Sequence, residues 1–216
     1  MSIAPAAALS LEGFSMTLVS AARNVALAAG LALSLSACGI NSVPTKEEAA
    51  KARWADVEAQ FQRRANLIPN LVEVTQGAAE NERAILTEVT EARARATSIN
   101  VSADDLGDAS KIQEFAAAQG QLSQGLGRLL ASFEAYPTIQ SNQNYIALQS
   151  QLEGTENRIA VAIRDYNGAV QDYNTTIRTF PDIIGANIIH GADPLAPYEA
   201  ATEGAEVAPD IDMTSN

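Results

Sequence analysis

A single cysteine and a single histidine in 216 residues leave little room for several kinds of chemistry. Cys38 has no second thiol to pair with, so an internal disulfide is excluded, and His190 sits apart in a glycine-flanked segment where a solvated imidazole is the expected reading. Such a pair supplies neither a His/Cys metal cage nor a Cys/His nucleophile couple. Positive charge is also scarce: 14 Lys and Arg stand against 26 Asp and Glu, giving a formal net charge of −12. The longest basic run is Arg63-Arg64. Nucleic acid and anionic lipid both demand a positive face, so neither is expected as an electrostatic partner. Aromatics make up 5% of the chain and hydrophobic residues 47%, which suits one core-bearing domain packed from aliphatic side chains and alanines. No phosphate cradle or metal site is legible, so no catalytic residue, cofactor or small-molecule substrate is expected, and a binding module is preferred over an enzyme.

What is present begins with an apolar N-terminus. Val25 to Ala37 is rich in alanine and leucine, follows Arg23, and ends in Leu35-Ser36-Ala37-Cys38-Gly39, the layout of a signal peptide with small residues before the cut. Leu35 to Cys38 is similar to the bacterial lipobox, which makes Cys38 the candidate lipid attachment point. The alternative is an uncleaved signal anchor. The apolar run is shorter than the ~20 residues of a spanning helix, although Phe14 to Ala22 extends it. Met16 to Arg23 would itself make a conventional start, so translation is expected to begin at Met16 rather than Met1. Gly39 lacks the Asp retention signal of enteric lipoproteins and leans toward the outer membrane.

Thr45-Lys46-Glu47-Glu48, after Pro44, has the form of a capping box and predicts a helix start. Trp54, Val57, Phe61, Ile68, Leu71, Ala78, Ile85, Val89, Ala92 and Ala96 then fall on a three-four spacing, interrupted by Arg64, Thr75 and Glu82. Pro69 lies inside that run, where it removes an amide donor and crowds the carbonyl four residues earlier. Either the helix kinks there or a new one begins with Asn66 as its cap; the unchanged apolar register favours a kinked, nearly continuous helix.

Ser98 to Ser110 clusters Asn100, Asp104, Asp105, Gly107 and Asp108 and reads as the first hairpin loop. It lacks the ligand alternation and closing Glu of a calcium loop, so capping and solubility explain its acids. Ser110 to Gln113 offers a second capping box. Ile112, Phe115, Gln119, Leu122, Leu126, Leu129, Phe133 and Tyr136 predict the second bundle helix. Gly120, Gly125 and Gly127 disfavour helix there by ~1 kcal/mol each, which calls for close approach of a neighbouring helix.

Tyr136-Pro137 ends that helix and Ser141 is the expected cap of the third, whose seam runs from Tyr145 to Phe180. Tyr166-Asn167 and Tyr173-Asn174 are one heptad apart, so both tyrosines share a stripe with both asparagines beside it. Two uses fit: the groups satisfy each other or backbone groups inside a bundle, or they form an exposed recognition ladder. Glu156 and Arg158, with Arg63, Arg64 and Glu82, form the one expected buried-charge constellation, paired across facing helices. Asp182 to Ile189 predicts a short amphipathic helix. Asp193, Glu199, Glu203, Glu206, Asp210 and Asp212 stand among prolines with no Lys or Arg, the composition of a flexible tail.

The stretch Gln62-Arg63-Arg64-Ala65-Asn66-Leu67-Ile68-Pro69-Asn70-Leu71, followed by Tyr136-Pro137, Thr155-Glu156-Asn157-Arg158-Ile159, Tyr166-Asn167, Tyr173-Asn174 and Phe180-Pro181, resembles the LemA family from about Trp54 to Tyr198. The resemblance implies a membrane-attached, all-helical bacterial protein without an established activity, acting beside envelope proteins, membrane proteases among them. It singles out Arg63, Arg64, Asn70, Glu156, Asn157, Arg158, Tyr166, Asn167, Tyr173 and Asn174 as interaction or structural residues.

The expectation is therefore an all-α fold, an elongated antiparallel helical bundle of three long helices, or four if the first breaks at Pro69. Residues 1–37 are read as signal peptide or signal anchor, 38–44 as tether, 45–191 as bundle and 192–216 as acidic flexible tail. The expected partners are a membrane, held through the N-terminal lipid or apolar anchor, and an envelope protein. A self-assembling scaffold stacked through the tyrosines is the alternative.

Overall fold

The computed structural model describes residues 9–75 and 82–199, and of residues 9–22 and 25–40 the backbone alone. The Cys38 thiol and everything beyond Glu199 thus lie outside the described residues. No strand occurs among those described. The helices are α1 (Leu9–Thr75), α2 (Arg83–Ser98), α3 (Ala109–Phe133), α4 (Pro137–Gln140), α5 (Gln143–Thr176) and α6 (Asp182–Gly185), the last continued by a π-helical turn, Ala186–His190. By contacts the chain divides into two units, one of residues 1–45 and 175–192, the other of residues 46–174 and 193–216.

The larger unit holds four long antiparallel helices, the higher of the two expected numbers, but the break that makes the fourth is not at the expected place. Arg93 Nε lies 2.7 Å from the carbonyl oxygen of Ala65, 28 residues away. On one straight helix that separation would be about 42 Å at ~1.5 Å per residue. The chain therefore reverses between Thr75 and Arg83, and not at Pro69, through which α1 continues. The Thr75 hydroxyl donates to the Leu71 carbonyl at 2.8 Å in the last turn. In the sequence Gly77, a poor helix former, follows two residues after Thr75. The reversal was hidden because the apolar spacing on α2 resumes near the register left on α1.

Other expected boundaries move for similar local reasons. Helix α1 runs unbroken through Pro44, so Thr45 opens no helix and its hydroxyl donates back to the Asn41 carbonyl at 2.6 Å. Asp108, not Ser110, caps α3 by accepting from the amides of Ser110 and Lys111; a carboxylate at the first turn also meets the positive end of the helix dipole. Asn142, not Ser141, accepts from the amides of Asn144 and Tyr145 at the start of α5.

Two clusters fill the bundle. Trp54, Val57 and Phe61 of α1 pack with Ile112 and Phe115 of α3, Ile159, Tyr166 and Val170 of α5, and Tyr198. Ile68 and Leu71 pack with Val89 and Ala92 of α2 and Leu122, Leu126 and Phe133 of α3. Trp54 anchors the first cluster, meeting Phe115 and Tyr166 at ring distances of 5.5 and 5.0 Å and donating its indole N–H to the Val101 carbonyl at 2.9 Å. A Cβ on Gly125 would lie 3.4 Å from Val89 Cγ2, the close helix approach expected of the α3 glycines; at Gly127 the space is open.

In the smaller unit side-chain packing is described from Asn41 to Thr45 and from Thr175 to Ala192. Val43, Ile177 and Ala186 are buried, and the Ser42 hydroxyl donates to the Asp182 carboxylate. The Phe180–Pro181 peptide bond is cis.

Candidate functional site

Polar chemistry in the bundle is concentrated in two places. The first is Arg64, 1% exposed on the α1 face that the apolar seam should occupy. Its Nη1 donates to Ser123 Oγ at 2.6 Å and to Glu156 Oε1 at 3.1 Å. Nη2 donates to Gln119 Oε1 at 2.6 Å and to the Gln119 carbonyl at 3.2 Å. Gln119 in turn donates to the Ala96 carbonyl at 3.2 Å. One guanidinium thus ties α1 to α3 and α5, and through Gln119 to α2. The charge also lies over the Phe61 ring, 5.0 Å from its centroid. An open recess of about 400 Å³ borders this cluster, walled by Ile159, Ile163 and Tyr198 among others.

The expected constellation is thereby redrawn. Arg64 and Glu156 come together, but Arg63, Asn70, Asn157 and Arg158 are exposed, and Glu82 instead accepts from the Tyr136 hydroxyl at 3.3 Å. Gln119 and Ser123 were not singled out as partners. The signal was available for Gln119, a polar residue in an otherwise apolar stripe.

The second place is the Tyr-Asn repeat of α5. Residues 193–198 lie extended along it, and every repeat side chain grips their backbone. Asn174 Nδ2 donates to the Leu195 carbonyl at 2.8 Å while its Oδ1 accepts from the Leu195 amide at 2.9 Å. Asn167 does the same to Tyr198, at 2.9 and 2.8 Å. The hydroxyls of Tyr166 and Tyr173 donate to the carbonyls of Ala196 and Asp193 at 2.8 and 3.1 Å. An amide side chain holds one acceptor and two donors, so it mimics the edge of a strand. One heptad on α5, about 10 Å at ~1.5 Å per residue, matches three extended residues at ~3.3 Å. That match sets Asn167 and Asn174 against Tyr198 and Leu195.

The flexible tail expected from residue 192 is corrected up to Glu199: Ala196 and Tyr198 are buried in the core, and the Ala196 amide donates to the Leu106 carbonyl at 2.8 Å. Burial pushes the Tyr166 hydroxyl well above the ordinary range and the Tyr198 hydroxyl up to about 12, with Arg64 pulling the latter down and Glu156 pushing it up. Both remain neutral at physiological pH. Among the described residues no His/Cys/Asp/Glu group is arranged to hold a metal ion.

The sequence from residue 53 to residue 213 matches the LemA family, and that range contains both the Arg64 cluster and the Tyr-Asn ladder. The chain belongs to the LemA family. This LemA protein is also similar to magnetosome proteins MamQ 2 and MamQ 1 of Paramagnetospirillum magneticum, each 32% identical over 65% of this chain. Magnetosome protein MamQ of Magnetospirillum gryphiswaldense is 30% identical over the same share. The match spans 58% of the length of those relatives.

Proposed function

We propose that this LemA protein is a membrane-tethered, non-enzymatic helical module of the bacterial cell envelope that serves as an accessory factor to other envelope proteins. The observation that carries the reading is the fate of its polar side chains. Arg64, Gln119, Tyr166, Asn167, Tyr173 and Asn174 are engaged in joining helices or in holding residues 193–198. Groups held in that way stiffen a scaffold and present no free acid, base or nucleophile. Its exposed polar surface, with Arg63, Asn70, Asn157 and Arg158, is left for partners.

The tether is the N-terminal apolar run, lipidated at Cys38 or retained as an anchor, with the bundle facing the periplasm or exterior. The LemA match, whose resemblance implies membrane attachment, supports a place beside a bilayer. Among the described residues no helix is long and apolar enough to cross a membrane. The scaffold alternative loses its proposed surface, since the tyrosine hydroxyls are engaged by residues 193 and 196.

Photo-crosslinkers placed one at a time at Arg63, Asn70 and Arg158 in cells test the adaptor role. Position-dependent adducts with the same envelope protein, identified by mass, are expected. Adducts only with a second copy of the chain would overturn it in favour of the scaffold. Labelling with an alkyne fatty acid settles the tether: signal in wild type that disappears in Cys38→Ser is the lipoprotein result.

A further inference from the structure

Among the described residues, four of the six large hydrophobic side chains left in water gather in one short stretch, the other two, Ile146 and Val161, standing singly on α5. Phe180 is 77% exposed, Ile188 79%, Ile189 56% and Ile184 50%. The local backbone produces this: α6 and the π-helical turn bury Gly185 and Ala186 and leave the isoleucines on the outer side. Ile184 and Ile188 are four apart, so they share one stripe of the turn. Isolated exposed isoleucines are ordinary, but a run of this kind marks a contact surface.

Two observations say what covers it. First, Ser42 and Asp182 are hydrogen-bonded within this unit, and Ser42 follows Cys38 by one helical turn of α1, about 6 Å along the axis. A bilayer that holds the chain at Cys38, or through Val25 to Ala37, therefore lies beside Asp182 and the residues around it. Second, the stretch from Thr175 to Ala192 is almost without charge, carrying Arg178 and Asp182, which offset each other, and His190. A chain of net charge −12 is repelled by a second copy and by anionic lipid, whereas a zwitterionic bilayer interface accepts apolar side chains without charge complementarity.

We propose that Phe180, Ile184, Ile188 and Ile189 form a membrane-interface contact, seated at the headgroup–acyl boundary of a zwitterionic bilayer next to the point where α1 meets it. The contact rests on the tether proposed above. It fixes how this smaller unit stands on the membrane, because an anchor alone leaves it free to swing. Seating would be shallow, about 5–10 Å, as for interfacial helices.

The test uses the full chain reconstituted into phosphatidylcholine vesicles, with and without bromine on the acyl chains, and recovered by flotation. Ile188→Trp places a reporter in the patch; Val161→Trp, at an exposed site on α5, and wild type, whose one tryptophan is buried, are the references. Bromine is expected to quench Ile188→Trp strongly and both references weakly, and raising the salt concentration leaves the quenching unchanged. Phe180→Trp repeats the measurement should Ile188→Trp lose helix content. Protein that floats with vesicles while both patch reporters stay unquenched overturns the contact and leaves the tether standing. Equal quenching at Val161→Trp means unspecific adsorption and also overturns it, as do patch reporters that respond only to protein density, the sign of a second copy. Failure to float overturns tether and contact together.

Discussion

Arg93 donates from Nε to the carbonyl oxygen of Ala65, the oxygen that Pro69 leaves without its helical amide. A proline in a helix interior deprives the carbonyl four residues earlier of its donor, and an unsatisfied buried carbonyl costs about 1–3 kcal/mol. The neighbouring helix α2 supplies the missing bond, so α1 passes Pro69 without ending. Replacing Arg93 by Ala should destabilise the bundle by about 1–2 kcal/mol in urea unfolding. In a Pro69→Ala background, where residue 69 has its own amide, the same replacement should cost markedly less. Equal costs in the two backgrounds would disconnect the arginine from the proline.

At the buried guanidinium the two partners of one ion pair should behave unequally. Arg64 is buried while the Glu156 side chain is 46% exposed. Arg64→Ala deprives Gln119 Oε1 and Ser123 Oγ of their donor and should cost on the order of 3 kcal/mol. Arg64→Lys should recover little, because an ammonium cannot reproduce the planar fork that reaches α3 and α5 together. Glu156→Gln should cost less than about 1 kcal/mol, water screening a half-exposed carboxylate. Melting curves of the three variants check the order.

Release of residues 193–198 should be separable from unfolding of the helices. Asn167→Asp keeps an acceptor for the Tyr198 amide but turns a carboxylate toward the Tyr198 carbonyl, where the amide donated before. Hydrogen exchange at the Leu195, Ala196 and Tyr198 amides should accelerate in Asn167→Asp and Asn174→Asp, with little change in α1 and α3. Uniform acceleration across the bundle would instead make the segment part of one cooperative unit.

Alkaline pH should loosen the same contact. Burial raises the Tyr198 pKa from its ordinary 10 to about 12, and raises that of Tyr166 further. A pKa higher in the folded than in the unfolded state means that the stabilisation is complete below pH 10 and is lost as pH climbs toward about 12. Urea midpoints should therefore be flat on account of these groups up to pH 10 and fall above it. Tyr198→Phe should shallow that fall.

The α3 glycines should respond differently to an added methyl. Gly127 has open space around the Cβ position, so Gly127→Ala should stabilise the helix by about 1 kcal/mol. At Gly125 the new methyl meets Val89 Cγ2 at 3.4 Å, and the gain should be smaller or absent. Chemical denaturation distinguishes them.

The helical character of the chain and most of its core positions follow from local pattern, because three-four spacing of apolar residues has one economical solution and needs no knowledge of neighbours. Trp54, Val57, Phe61, Ile68 and Leu71 on α1, the stripe of α3 and the tyrosines of α5 are buried as their spacing requires. Membership of the family was legible for a related reason, since its short motifs are contiguous in sequence. The reversal after Thr75 was not legible: periodicity reports which face of a helix is apolar and says nothing of whether the next turn continues or folds back. Nor was the destination of the Tyr-Asn repeat, which depends on an extended segment some twenty to thirty residues away having the matching pitch. Only tertiary structure could decide that Arg93 completes Ala65 and that Arg64 belongs to Gln119 and Ser123, because each of those hydrogen bonds joins groups that packing, and not sequence proximity, brings within 3 Å.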